Sequence, residues 1–230
     1  MMKSDGILYV VATPIGNMED ITLRALRTLK EADIILCEDT RVTKRILDRY
    51  EIKDKKLSVW NEERSGVSAD KVTEWLGEGK KIALVTDAGT PGISDPGGKL
   101  LISIKESLPE VKIEAIPGPS ALTSALSVAG IPLHDFVFLG FLPHKKGRET
   151  IFKEIATAKR PYVFYESPHR ILKALESLKK FSPEKKITIC RELTKIHEEV
   201  VSGTANELLE YFENNKEKVR GEFVVIISDL

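Results

Sequence analysis

Residues 86–98 read TDAGTPGISDPGG, with four glycines and two prolines, and follow directly on the apolar run 82–85. A strand that enters such a bend offers bare backbone at the carboxyl edge of its sheet, where open α/β sheets hold ligands. Glycine lets a ligand approach the main chain, and proline removes a donor while fixing the turn. Two shorter bends repeat the arrangement. Thr13-Pro14-Ile15-Gly16-Asn17 follows the first apolar run, and Pro117-Gly118-Pro119-Ser120-Ala121 follows the run 112–116. Three such bends on one sheet edge are expected to converge on one pocket. They contain no Lys or Arg to pair a phosphate, and none reads GxGxxG or GxxxxGK[ST], so neither a Rossmann dinucleotide site nor a P-loop is expected. The chemistry they suit is binding of a neutral or cationic ligand with a flat, adenine-like part.

The elements that must position these bends are legible in the hydrophobic pattern. Short Val/Ile-rich runs at 8–12, 34–38, 82–86 and 112–116 alternate with helical spacing at 22–30, 42–48, 67–76 and 99–107. Asp20 or Thr22 would cap the first helix. Runs buried on both faces and separated by amphipathic helices predict a largely parallel sheet covered by helices, an α/β domain. After a Pro/Gly-rich stretch the texture changes. Strands are predicted at 136–141, 162–166, 186–192, 198–202 and 222–228, and helices at 122–129, 148–158, 169–179 and 205–214. The interval 186–202 leaves room for a hairpin, which a purely parallel sheet lacks. The predicted organisation is residues 1–117 as an N-terminal α/β domain, 118–135 as linker and connecting helix, and 136–230 as a C-terminal α/β domain.

The chain has 230 residues, 35 Lys+Arg against 35 Asp+Glu, 42% hydrophobic and 30% charged residues, which excludes a disordered chain and a strongly basic, non-specific nucleic-acid binder. Cys37 and Cys190 are too few for a disulfide framework and form no CxxC pair, so a reducing compartment and core positions are expected. The four histidines have no metal-ligand spacing with them, and no metal site is expected. The start lacks a signal peptide's apolar length. The uncharged stretch 115–134 spends too many residues on turn formers to span a membrane, and is expected to be a buried loop and helix. The expected location is the cytoplasm. Trp60 and Trp75 are expected to pack the first domain, with Trp60 at a dimer surface as the alternative.

TPIGN, EDTR at 38–41, DAGTPGISDPG, PGPSALTSAL, the stretch 138–143, YESPHRI at 165–171 and CRELTKIHEE at 190–199 occur in this order. Together they resemble the tetrapyrrole-methylase superfamily over nearly the whole chain. TPIGN, EDTR and YESPHR resemble its RNA-modifying branch in particular. The resemblance implies two α/β domains with S-adenosyl-L-methionine bound in the cleft between them, and a homodimer. It further implies a substrate in the small ribosomal subunit, the 2′-hydroxyl of a cytidine in the decoding region of its RNA. Donor contacts are implied at Pro14, Ala88, Gly89, Thr90, Ile93, Ser120, Ala121 and near Glu166. Gly89-Thr90-Pro91 stands where tetrapyrrole enzymes often have Gly-Asp-Pro, which suggests a different substrate. Many relatives continue for a further small helical segment.

Methyl transfer to a ribose hydroxyl gains from alignment of donor and acceptor and from a base that takes the hydroxyl proton. Asp39, Asp87, Glu166, Glu192 and Lys195 lie at strand ends, and Asp87, Glu192 and Lys195 are the candidates carried forward. A lysine base would need a depressed pKa. Substrate contacts call for cations. Arg41 follows the second strand, Lys145, Lys146 and Arg148 follow the first strand of the second domain, and His169-Arg170 opens a helix. Two other readings stay open: methylation of a tetrapyrrole or a diphthamide precursor, and a non-catalytic, ribosome-associated module that binds the cofactor.

Overall fold

The computed structural model describes residues 6–60, 66–132 and 134–229. Expectations touching residues 1–5, Leu133 and Leu230 fall outside them in that part. The chain divides into two compact units, Met1–Ser120 and Ala121–Leu230.

In the first unit the order is β1 (Ile7–Val11), α1 (Leu23–Glu31), β2 (Ile34–Cys37), α2 (Thr40–Arg49), β3 (Lys56–Val59), α3 (Ala69–Gly77), β4 (Lys81–Leu84), α4 (Gly98–Ser107) and β5 (Lys112–Ile116). The five strands form one sheet in the order β3-β2-β4-β1-β5, with every pair parallel. Successive residues of a strand point to opposite faces, and β2 shows it: Ile35 and Cys37 join Ala25 and Leu29 of α1 and Ile46 and Leu47 of α2. Ile34 and Leu36 join Val72 and Leu76 of α3 and Leu100 and Ile104 of α4. Both faces are covered, so the strands read as unbroken apolar runs. Of the two proposed caps, Thr22 serves: its Oγ1 accepts the Ala25 amide at 3.0 Å. Trp60 belongs to the core on the α3 and α4 side and is only 7% exposed, which removes it from any dimer surface.

The second unit runs α5 (Ala121–Val128), β6 (Val137–Phe141), α6 (Arg148–Thr157), β7 (Tyr162–Glu166), α7 (Ile171–Phe181), β8 (Lys186–Arg191), β9 (Glu199–Gly203), α8 (Ala205–Asn214) and β10 (Phe223–Ser228). Its sheet order is β6-β7-β10-β8-β9. Only β6 and β7 are parallel; β10 is antiparallel to both neighbours, and β8 and β9 form the expected hairpin. Phe152 and Ile155 of α6, Leu175 and Leu178 of α7 and Leu208 and Phe212 of α8 cover one sheet face. On the other side α5 meets β10, and the Cys190 thiol donates to the Ala125 carbonyl at 3.8 Å. The expectation of a buried helix here is met only in part, because Ala125 alone is buried among the residues of α5.

Both cysteines are fully buried, Cys37 in the first unit and Cys190 in the second. Burial pushes both thiols up, Cys190 to about 11. No helix among the described residues is long and apolar enough to cross a membrane.

Candidate functional site

The three Gly/Pro bends meet. β4, β1 and β5 are neighbours in the sheet, so the bends at their carboxyl ends emerge side by side. Thr13 and Gly89 exchange main-chain hydrogen bonds at 2.8 and 3.1 Å, and the Thr13 hydroxyl donates to the Thr86 carbonyl at 3.0 Å. The Thr90 hydroxyl donates to the Pro119 carbonyl at 3.3 Å, which ties the second bend to the third. Gly89 has φ +85°, a conformation that a side chain would strain, and a Cβ there would lie 3.5 Å from the Ile15 side chain. Pro14 is buried, Ala88, Thr90, Ser120 and Ala121 are half-buried, and Ile93 is exposed. The cradle carries acids, Asp87 and Asp95, and no cationic side chain, so it fits a neutral or positively charged ligand.

Asp87 stands at the edge of this cradle in a group of carboxylates. Its Oδ1 accepts the Asp39 amide at 3.2 Å, while Glu38 Oε1 accepts the Thr86 hydroxyl and the Asp87 amide, the latter at 3.3 Å. Asp87 is exposed, and partial loss of hydration, followed by the nearby Glu38 charge, moves its pKa upward from its ordinary value. Asp39 differs. Hydrogen bonds from the Arg41 side chain and amide pull it down to about 2, and its carboxylate caps α2. The Arg41 guanidinium itself is largely exposed.

Glu192 and Lys195 belong to the second unit, in the turn between β8 and β9. Lys195 Nζ donates to Glu192 Oε1 at 2.8 Å and to Glu222 Oε2 at 3.0 Å, and Glu192 Oε1 also accepts the Glu222 amide at 3.0 Å. Burial lowers the Lys195 pKa, but its two carboxylate partners outweigh that, and the net shift is upward. That is the wrong direction for a lysine base. For Glu192, burial raises the pKa and the Lys195 and Glu222 bonds outweigh it, so the carboxylate stays ionised and occupied.

Glu166, at the end of β7, is fully buried and shared by two arginines. Arg148 Nη2 reaches Oε2 at 2.9 Å, Arg170 Nε reaches Oε1 at 3.2 Å, and the Ser167 amide donates to Oε1 at 2.9 Å. Arg170 Nη2 also donates to the carbonyls of Leu142 and Pro143, at 2.5 and 3.2 Å, and Arg148 Nη1 to that of Pro143 at 3.4 Å. Both arginines are mostly buried and committed within the protein. Lys145, Lys146 and His169 are exposed. A groove of about 530 Å³ lined by Val137, Glu154, Thr157, Arg160 and Tyr162 lies at the opposite, amino ends of β6 and β7.

Four participants were not identifiable as such from the sequence. Glu38 was in view within EDTR, but nothing in the sequence pointed it at Asp87. Leu142 and Pro143 lay in the stretch 138–143 and Glu222 at a predicted strand start, but nothing pointed them at Arg148, Arg170, Glu192 or Lys195, because strand pairing and loop closure bring them in from distant positions.

Residues 7–209 match the family model of tetrapyrrole (corrin/porphyrin) methylases. The chain is 45% identical over 224 residues to the ribosomal RNA small subunit methyltransferase I of Thermotoga maritima, covering 97% of this chain and 98% of that protein. It is 44% identical to the protein of the same name from Halalkalibacterium halodurans, covering 97% and 76%. Among solved structures it is similar to a cobalt precorrin-4 methyltransferase of cobalamin biosynthesis, with a TM-score of 0.69, 18% identity and coverage of 97% and 95%. The uroporphyrin-III C-methyltransferase of Thermus thermophilus gives 0.67, 20%, 97% and 94%. These two likenesses show the fold.

Proposed function

The chain belongs to the tetrapyrrole (corrin/porphyrin) methylase family and is a methyltransferase, and from that premise we propose that it methylates small-subunit ribosomal RNA with S-adenosyl-L-methionine. We place the methyl group on the 2′-hydroxyl of a cytidine in the decoding region, and the enzyme in the cytoplasm as a homodimer. What carries the choice of RNA over a tetrapyrrole is identity of 45% and 44%, along nearly the full chain, to relatives named for ribosomal RNA.

The cradle of three bends suits the methyl donor, which supplies an electrophilic methyl group on a positively charged sulfonium. Pro14, Ala88, Gly89, Thr90, Ile93, Ser120 and Ala121 would hold it, mostly through backbone, and the absence of Lys and Arg from the bends avoids repulsion of its charge. The Glu166 carboxylate, taken up by Arg148, Arg170 and Ser167, is not free to join them. Asp87 is the base we assign: of the three candidates its pKa alone moves toward that of a proton acceptor. It would take the hydroxyl proton at its carboxylate, with the Asp39 amide fixing the orientation of Oδ1. Lys145, Lys146, His169 and Arg41 remain as exposed groups for the RNA, whereas Arg148 and Arg170 act from inside the protein.

Small subunits from cells that lack this modification, incubated with methyl-labelled donor and the protein, should gain label at one cytidine ribose in the decoding region. Label at another nucleotide overturns the assigned position. Donor binding without transfer to any ribosomal particle would instead mark a non-catalytic module.

A further inference from the structure

Phe141 is the last residue of the edge strand β6, just past a break in the register with β7 between Phe138 and Phe141, and it is 56% exposed. Its ring is braced: Tyr165 meets it edge-on at 5.4 Å between centroids, and Phe138 meets Tyr165 at 5.0 Å. The next two residues are held from inside. Leu142 is buried in the core, and the carbonyls of Leu142 and Pro143 receive the arginines that share Glu166. Directly after this fixed segment come His144, Lys145 and Lys146, all exposed, and neither lysine pairs with a carboxylate among the described residues. No acidic residue occurs from 137 to 148.

We propose that Phe141 is a stacking surface for an unpaired base of the RNA substrate, with Lys145 and Lys146 on the adjoining phosphates. The inference rests on the RNA reading above and adds a contact to it. An exposed aromatic ring by itself would also suit a second copy of the chain, but the unbalanced positive charge beside it decides the occupant. Single-stranded nucleic acid offers a π-face and a phosphate at successive positions, and aromatic side chains among cations are the surface that takes both. A braced ring also loses little freedom on binding, so more of the stacking energy appears as affinity.

Phe141→Ala, Phe141→Leu and Phe141→Trp test it, with small subunits as substrate. Stacking is worth roughly 1–3 kcal/mol per base, so Phe141→Ala should raise the KM for subunits about 5- to 150-fold. Trp should restore it and Leu should not, while donor affinity, kcat and melting temperature stay at the wild-type values. A fluorescent base analogue in a single-stranded decoding-region RNA should be quenched by the wild-type protein and not by Phe141→Ala. Wild-type activity with an indifferent Phe141→Ala variant would overturn this inference alone. So would a change of sedimentation in Phe141→Ala, which marks a contact between copies. Wild-type protein that neither binds nor methylates subunits would overturn the RNA reading and the stacking role together.

Discussion

Asp87 and Lys195 show how much a candidate base depends on its neighbours rather than its type. Both lie in Gly-rich or charged segments and both shift upward, which makes the carboxylate a stronger base and keeps the lysine an ammonium. At Asp87 partial loss of hydration acts first, the Glu38 and Asp39 charges add to it, the Asp39 amide and the Arg41 charge oppose it, and the net shift is upward. A carboxylate whose pKa is raised becomes a competent base only above that raised value, so turnover should climb with pH through it. Asp87→Asn should lower kcat by roughly 10²- to 10⁴-fold, the usual span for a general base, with donor affinity intact. Glu38→Gln keeps an oxygen to accept the Asp87 amide but removes a negative neighbour. The acid limb of its pH–rate profile should therefore move to lower pH, and an unmoved limb would disconnect Asp87 from proton transfer. Lys195 stays an ammonium between Glu192 and Glu222 and fastens the turn that carries it.

That turn is an element whose shape the residue types conceal. Glu192 and Thr194 both have positive φ, 51° and 65°, without being glycine, a conformation that L side chains reach at a cost of about 1 kcal/mol or more. What holds it comes from the two residues just before β10: Gly221, at φ +84°, leaves room for the Glu192 side chain, and the Glu222 amide binds it. A Cβ on residue 221 would sit 2.3 Å from the Glu192 carboxylate. Gly221→Ala should destabilise the protein by roughly 1–3 kcal/mol, from left-handed strain plus a displaced hydrogen bond, read as a lower urea midpoint. The sequence made the helices plain because their apolar positions repeat, and β2 plain because Ile34 to Cys37 is an unbroken apolar run buried on both faces. It did not disclose β3, a half-covered edge whose alternation Lys56-Leu57-Ser58-Val59 is too short to stand out. The three bends were visible in Gly and Pro alone. Glu166 with Arg148 and Arg170 was not, since it needs a strand end, a helix start and a loop to close on one carboxylate.

At the scale of the molecule, each unit has its own core: two layers around the parallel sheet of the first, one beneath the mixed sheet of the second. The protein's two tryptophans, Trp60 and Trp75, are both in the first unit, so their fluorescence reports that unit only. Glu166→Ala would leave two mostly buried guanidiniums without their anion in the second unit, a loss of about 3–5 kcal/mol. Circular dichroism should then show an early transition in urea while tryptophan emission keeps its wild-type midpoint. Coincident early transitions would show that the two cores melt as one. The single thiol buried in each unit has a further use. Kept protonated at neutral pH and walled off from solvent, Cys37 and Cys190 should be inert to alkylation until their own surroundings open. Pulse labelling followed by peptide mass mapping would thus turn them into two independent clocks, timing how often each half of the native enzyme breathes.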